Sequence, residues 1–140
     1  MRSGWQGGDT ASPEESMKLG ESLAYFLESG DIIALQGDMA VGKTTFVKGI
    51  LKALNYQAEV TSPTFTLINE YDADKRIIHI DCYREENVEN WLNLGIQEYF
   101  YNDDIVIIEW PEIISKILPN ECIKIHLKPT SENRRSITIK

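Results

Sequence analysis

Residues 37–44 carry the residue types that bind nucleotide phosphates. They read GDMAVGKT and match the pattern G-x-x-x-x-G-K-[ST]. Glycines let successive backbone N–H groups curl around a phosphate, and the helix that follows adds a partial positive charge at its N-terminus. Lys43 can then reach the β- and γ-phosphates, and the Thr44 hydroxyl can ligate Mg²⁺. The predicted nucleotide-binding residues of this loop are Gly37, Asp38, Met39, Ala40, Val41, Gly42, Lys43, Thr44 and Thr45.

Two carboxylates follow apolar runs that are typical of buried strands. Asp81 ends the run IIHID, and Glu109 ends the run IVIIE. A phosphate loop of this type needs an acidic residue at the carboxyl end of a nearby strand, where it holds Mg²⁺ directly or through water. We therefore predict Lys43, Asp81 and Glu109 as catalytic residues, and Thr44, Asp81 and Glu109 as metal ligands. Which carboxylate contacts the metal and which orients water stays open at this point.

Two further residues near these strands have simpler explanations. His79 lies within an apolar strand, where a hydrogen-bonded core histidine is more common than a catalytic base. Trp110 directly follows Glu109, and both core packing and a contact with the site are open for it.

The elements that must position these residues alternate between strands and helices. Ser12, Pro13 and Glu15 are typical of a helix start. Strands are predicted at 32–36, 64–71, 76–81, 105–109, 122–127 and 137–139, and helices at 13–29, 44–54, 85–94 and from Pro111. With the phosphate loop, this order predicts an α/β fold, a P-loop NTPase-like three-layer sandwich whose mixed sheet has antiparallel edge strands.

Composition limits the remaining classes. The chain has 140 residues and 42% hydrophobic content, which predicts a single domain over residues 1–140, with residues 1–9 as a loose glycine-containing arm. The net charge of −8 argues against a chain that grips nucleic acid or an anionic membrane by itself. No apolar run is long enough to span a membrane, and Cys82 and Cys122 show no metal or disulfide spacing, so we expect a cytoplasmic protein.

Five motifs, spread between about residues 12 and 111, carry a specific resemblance. In chain order they are GDMAVGKTTF, SPTFTLINEY, HIDCYR, LNLGIQEYF and IIEWPE. Together they resemble the bacterial TsaE (YjeE) family of small P-loop ATPases, which are required for making threonylcarbamoyladenosine in tRNA. SPTFT and IEW are more diagnostic than the phosphate loop, because few P-loop families have either motif.

The resemblance implies roles for individual residues. It implies ATP as ligand, Mg²⁺ at Thr44 and Glu109, and Asp81 as a second acidic residue near the γ-phosphate. A switch-like segment is implied at 61–64, and a functional role at Trp110. The further nucleotide contacts that it implies are Thr61, Thr64, Trp110, Thr10, Ser12 and Arg135. One departure is Ala40, which stands where the family usually has glycine.

The expected function is therefore a Mg²⁺-dependent ATP-binding protein that hydrolyses ATP slowly. Between the phosphate loop and the last hairpin, Arg76 and Arg84 are the only arginines, so we expect stimulation by partners. The resemblance implies TsaD and TsaB as these partners, with tRNA reached mainly through them. Two alternatives stay open, a small-molecule kinase and a nucleotide-binding switch without useful hydrolysis. The lack of an arginine-rich lid counts against the kinase, and the lack of N-K-x-D counts against GTP.

Overall fold

A computed structural model of the chain describes residues 1–37, 42–57 and 67–140. Within these ranges the strands are β1 (Gly8–Thr10), β2 (Ile32–Gln36), β3 (Ile68–Asp72), β4 (Arg76–Asp81), β5 (Ile105–Glu109), β6 (Ile123–Pro129) and β7 (Arg135–Ile139). The helices are α1 (Pro13–Ala24), α2 (Lys43–Ala53), α3 (Val88–Asn93) and α4 (Ile96–Phe100), and a 3₁₀ helix spans Pro111–Ile114. Over the same ranges we find no helix long and apolar enough to cross a membrane.

The described strands form one mixed sheet in the order β1-β7-β6-β2-β5-β4-β3. β5 is parallel to β2 and β4, and β6 is parallel to β2. The antiparallel pairs β3–β4, β6–β7 and β1–β7 lie toward the two edges. This arrangement confirms the predicted α/β fold with a mixed sheet and antiparallel edge strands. The central strands are continuously apolar because both of their faces are covered.

Side-chain alternation along the strands decides which residues face which helices. Ile77 of β4 and Ile107 of β5 belong to the core formed with α1 and α2. The intervening side chains pack on the other face of the sheet against α3, α4 and the 3₁₀ helix. Because strand side chains alternate with a period of two, His79, Asp81 and Glu109 lie on the same face as α1 and α2. The predicted carboxylates therefore lie on the same side of the sheet as α2, the helix that follows the phosphate loop in the sequence.

The helices α1 and α2 approach each other closely because glycines lie at their contact. A Cβ at Gly20 would lie 2.2 Å from the carbonyl oxygen of Phe46, and a Cβ at Gly49 would lie 2.0 Å from that of Met17. Neither distance is sterically possible, so only glycine fits at these two positions. The glycine contact sets the position of α2, whose first turn carries the predicted phosphate-binding residues.

Part of the segment 1–9 packs against the rest of the chain, whereas the sequence predicted a loose arm. Trp5 is 6% exposed, its indole N–H donates to Ser22 Oγ at 3.0 Å, and its ring meets Phe46 edge-on. The amino group of Met1 lies 2.7 Å from the Asp31 carboxylate. The glycines of this segment suggested flexibility, but burial of one large aromatic side chain outweighs that tendency.

Two helix ends differ from the predicted ones. α1 ends at Ala24 and not near Gly30, since the next backbone N–H groups bond to carbonyl groups three residues back and tighten the turn. α3 begins at Val88, later than predicted, because the Asn87 side chain accepts a hydrogen bond from the Glu89 N–H at 2.9 Å and caps the helix there.

Candidate functional site

The helix α2 begins directly after Gly42, whose backbone is left-handed with φ 82° and ψ 31°. A side chain would strain this conformation, so the second glycine of the phosphate-loop pattern is required here. Glycine has no side chain that could cap the helix, which leaves the N–H groups of the first turn available to an anion. Buried Lys43 and half-buried Thr44 and Thr45 lie in this turn. The start of α2 thus has the features that a phosphate group requires.

Several predicted residues lie outside the described ranges. They are Asp38, Met39, Ala40 and Val41 of the phosphate loop, and Thr61 and Thr64 of the switch-like segment. Their nucleotide contacts therefore stay predictions, and so does the effect of Ala40 on the loop.

The sheet brings the two predicted carboxylates together beside Lys43. Asp81 and Glu109 are register partners at the carboxyl ends of the parallel strands β4 and β5. Asp81 is 8% exposed, and Glu109 and Lys43 are each 4% exposed. Lys43 Nζ lies 3.9 Å from Glu109 Oε1 and donates a hydrogen bond to the Gly37 carbonyl oxygen at 2.6 Å. One buried cation therefore accompanies two buried carboxylates, an arrangement typical of functional sites.

Burial raises the pKa of the Asp81 carboxyl above its usual value. The Tyr83 backbone N–H donates to Asp81 Oδ1 at 3.0 Å and lowers this pKa, and the neighbouring charge of Glu109 raises it again. Lys43 and His79 each lower it by less than Glu109 raises it, and the net shift is upward. A further cation beside the two carboxylates would favour their ionised forms.

His79 contacts the site directly, although the strand pattern predicted only a core residue. Its side chain is fully buried, and Nε2 lies 2.6 Å from Glu109 Oε2. The predicted hydrogen bond of a core histidine is therefore present, and its partner is a candidate catalytic residue. A signal was available in the sequence. His79 interrupts a run of isoleucines, and it precedes Asp81 by two positions, so both side chains point to the same face.

Trp110 follows Glu109 and turns the chain sharply at the end of β5. Its backbone is left-handed, with φ 56° and ψ 49°, a strained conformation for a bulky side chain and one that clusters at functional sites. The half-buried indole ring lies 4.4 Å from Lys43 Nζ and packs on the exposed Tyr83 at 4.9 Å between ring centroids. Trp110 thus contacts Lys43 at the candidate site.

A cavity of about 270 Å³ lies beside the first turn of α2. Its walls come from the start of α1, from Gly42 and Thr45, and from the β6–β7 connection. Of the predicted residues it includes Ser12 and Arg135, and it also includes Asn133, which the sequence did not single out. Because Gly42 and Thr45 line the cavity, a ligand bound at the first turn of α2 could extend into it.

The structure places Thr10 differently from the other predicted nucleotide contacts. Thr10 is 3% exposed, and its hydroxyl lies 2.8 Å from the Ser16 hydroxyl. It is also the register partner of Arg135 between β1 and β7. Ser16 and Arg135 line the cavity, so Thr10 supports the cavity wall and does not itself line it.

The family is decided by comparison with known proteins. A family model described as "Threonylcarbamoyl adenosine biosynthesis protein TsaE" matches residues 10–137. The chain belongs to the TsaE family.

Several TsaE relatives are similar over most of this chain. Proteins named tRNA threonylcarbamoyladenosine biosynthesis protein TsaE are 38% identical in Bacillus subtilis and 37% identical in Treponema pallidum. These similarities cover 92% and 91% of this chain, and 81% and 95% of the relatives. The crystal structure of Bacillus subtilis YdiB matches with a TM-score of 0.81 at 35% identity, covering 94% of this chain and 81% of that one. The resemblance inferred from the five motifs is thereby confirmed.

The charge and ligand types of this TsaE-family site fit a magnesium ion bound together with a phosphate. Within the described ranges, no group of three or more His, Cys, Asp or Glu side chains could hold a metal ion by itself. Mg²⁺ commonly takes one or two carboxylates and completes its shell with water and substrate phosphate oxygens. Asp81, Glu109 and the Thr44 hydroxyl are oxygen donors of this kind, and the two carboxylates outnumber the nearby cation Lys43.

Proposed function

We propose that this chain is a Mg²⁺-dependent ATP-binding protein and slow ATPase that acts in the threonylcarbamoyladenosine modification of tRNA. Family membership supports the pathway. The observation that supports the chemistry is the meeting of Lys43, Asp81 and Glu109 at the start of α2, with a 3.9 Å approach of Lys43 Nζ to Glu109 Oε1. A lysine, two carboxylates and open helix N–H groups are what transfer of a phosphoryl group to water requires.

The phosphates would lie at the first turn of α2, between its N–H groups and the side chain of Lys43. Lys43 neutralises charge on the transferred phosphoryl group, and the helix N-terminus adds its partial positive charge. One of the two carboxylates would contact the metal directly, and the other would orient the attacking water and contact the metal through water. Thr44, Asp81 and Glu109 would hold Mg²⁺, which would supply further neutralisation of the phosphate charge.

The cavity beside α2 would take the nucleoside part of ATP. It is bounded by Ser12, by Thr45 and by the exposed segment around Asn133. Arg135 also lines it, and the guanidinium donates to the carbonyl oxygen of Arg134 at 3.0 Å. Polar groups of this type select a nucleoside by hydrogen bonds while the cavity wall excludes water.

Arg76 does not supply positive charge near the proposed phosphates. Arg76 lies at the opposite end of β4 from Asp81 and contacts Glu70 at 2.8 Å and Asp104 at 3.8 Å. A partner that completes the site would therefore raise the turnover, as an arginine supplied in trans does in other P-loop enzymes. We propose TsaD and TsaB as the partners. The net charge of −8 favours contact with tRNA through them.

The test is ATP hydrolysis by the purified chain, alone and with TsaD and TsaB. We expect slow release of phosphate from the isolated chain and faster release in the mixture. Fast isolated turnover that the partners leave unchanged would contradict the proposal. Phosphate transfer to an added nucleoside or small acid would instead indicate the kinase alternative.

A further inference from the structure

His79 is a polar residue at a position of β4 where an apolar residue would also fit. Its neighbours along β4 are isoleucines, and its register partner in β5 is Ile107. An isoleucine at this position would suit a buried central strand and would need no hydrogen-bond partner. Burying an imidazole ring costs free energy unless its nitrogen atoms are paired. The presence of His79 therefore calls for a function of its polar atoms.

The two carboxylate oxygen atoms of Glu109 have different partners, and His79 contacts one of them. His79 Nε2 lies 2.6 Å from Glu109 Oε2, and Lys43 Nζ lies 3.9 Å from Glu109 Oε1. A carboxylate oxygen accepts, so Nε2 carries the proton of this bond. His79 Nδ1 has no hydrogen-bond partner among the residues that the structure describes. Within that part of the chain, the bond to Glu109 is thus what offsets the burial of the ring.

We infer that His79 is a positioning residue, which fixes Glu109 through Oε2 so that Oε1 faces Lys43 and the phosphate site. This inference rests on the proposed function. The terminal torsion of a glutamate side chain has a broad energy profile, so without a fixed partner the carboxylate rotates. Residues that hold a metal ligand in this way typically contribute 10- to 100-fold to metal affinity or activity.

Two substitutions at residue 79 separate positioning from packing. In His79→Gln the amide nitrogen lies as many bonds from Cα as Nε2 does, so it can donate to Glu109 in a similar place. His79→Leu places an apolar side chain of similar size at this position and removes the donor. Ile80→Val is the matched control, since it loosens the same strand on its other face, where the side chain has no link to Glu109.

The readout is the Mg²⁺ concentration that gives half-maximal tightening of AMP-PNP binding, measured by calorimetry on the folded chain. We expect His79→Leu to raise this concentration about 10- to 100-fold and to leave Mg²⁺-free binding unchanged. His79→Gln and Ile80→Val should remain within about threefold of the wild type, since each keeps a donor to Glu109. In a Glu109→Gln background, His79→Leu should add nothing further.

The opposite results would overturn the inference. A His79→Leu protein with wild-type Mg²⁺ dependence, or a His79→Gln protein as impaired as His79→Leu, contradicts positioning by a donated hydrogen bond. A wild-type chain that binds no AMP-PNP would overturn the proposed function, and with it the inference that rests on it. Failure of the inference alone would leave AMP-PNP binding by the wild type intact, so the two failures are distinguishable.

A measurement on the wild type serves if a variant does not fold. Long-range ¹H–¹⁵N correlations of the His79 ring should show a proton on Nε2, and the Nε2 resonance should shift in Glu109→Gln. A ring without a proton on Nε2 would contradict the inference.

Discussion

The two ends of the candidate site are built in different ways. At the proposed phosphate end, Lys43, His79, Asp81 and Glu109 are all buried, and they come from a helix start and from two adjacent strands. At the proposed nucleoside end, the cavity wall includes exposed residues of the β6–β7 connection, such as Asn133.

Because of this difference, the two ends should contribute to different properties of the protein. Buried charges in a low-dielectric environment interact strongly, and they cannot be removed without large effects. Exposed polar groups on a connection exchange their bonds with water at little net cost. Substitutions at the phosphate end should therefore change turnover, and substitutions at the nucleoside end should change mainly nucleotide affinity.

The largest effect is expected from Lys43→Ala. This change removes the one positive side chain that lies beside Glu109 in the described chain, and turnover with TsaD and TsaB should fall about 100- to 1,000-fold. Phosphate release under saturating ATP measures it. Turnover within about threefold of the wild type would place the phosphates elsewhere.

A substitution at the contact between α1 and α2 tests the helix packing that positions both ends of the site. Gly49→Ala would push a Cβ onto the Met17 carbonyl oxygen, so we expect a loss of about 1–3 kcal/mol in the free energy of unfolding. Lys52→Ala on the same helix is the control, because that side chain is 69% exposed and its ion pair with Glu21 lies at the surface. Urea denaturation of the wild type and the two variants measures their free energies of unfolding. Equal stabilities would mean that the helices do not approach as closely as described.

A smaller effect is expected at the nucleoside end. Asn133→Ala should weaken ATP binding about two- to tenfold, the range for one neutral hydrogen bond, and should leave the saturated turnover unchanged. Titrations with ATP that measure binding and turnover separately distinguish an effect on affinity from an effect on saturated turnover. A fall in saturated turnover with unchanged affinity would break the proposed division between the two ends.

Asp81→Asn should show that the phosphate end is not optimised for stability. Burial raises the pKa of Asp81, so the folded state binds a proton more tightly than the unfolded state does. The stability of the wild type is then lower above this pKa and recovers as the pH falls toward the unfolded value. We expect the variant to unfold at a higher temperature than the wild type at pH 7, with the difference shrinking toward pH 4, while turnover is lost. A less stable variant at pH 7 would contradict this.

The strand and helix pattern predicted the fold and the phosphate end because both depend on local sequence. Asp81 and Glu109 end apolar runs, and two parallel strands of similar register necessarily bring their carboxyl ends together. Gly42 and Lys43 belong to one contiguous motif. Such features can be predicted from the sequence without knowledge of contacts between distant segments.

Other features depend on contacts between distant segments. The contribution of Asn133 to the cavity requires the last hairpin to lie beside the start of α1, a pairing made by β1 and β7. Trp5 packs where the glycine content suggested a loose arm. His79 was readable as a buried polar residue, but its partner Glu109 comes from another strand. The packing of Trp5 and of Asn133 has no local signal in the sequence, and the local signal at His79 extends only to the face that it shares with Asp81.

The most direct test of the central claim is the Mg²⁺ dependence of nucleotide binding in the wild type and in Glu109→Gln. Calorimetry with AMP-PNP, with and without Mg²⁺, measures both. If Glu109 lies at the metal and the γ-phosphate, Mg²⁺ tightens binding to the wild type by about tenfold or more, and this gain is lost in Glu109→Gln while Mg²⁺-free binding remains. A Glu109→Gln chain that keeps the full Mg²⁺ dependence would contradict the claim.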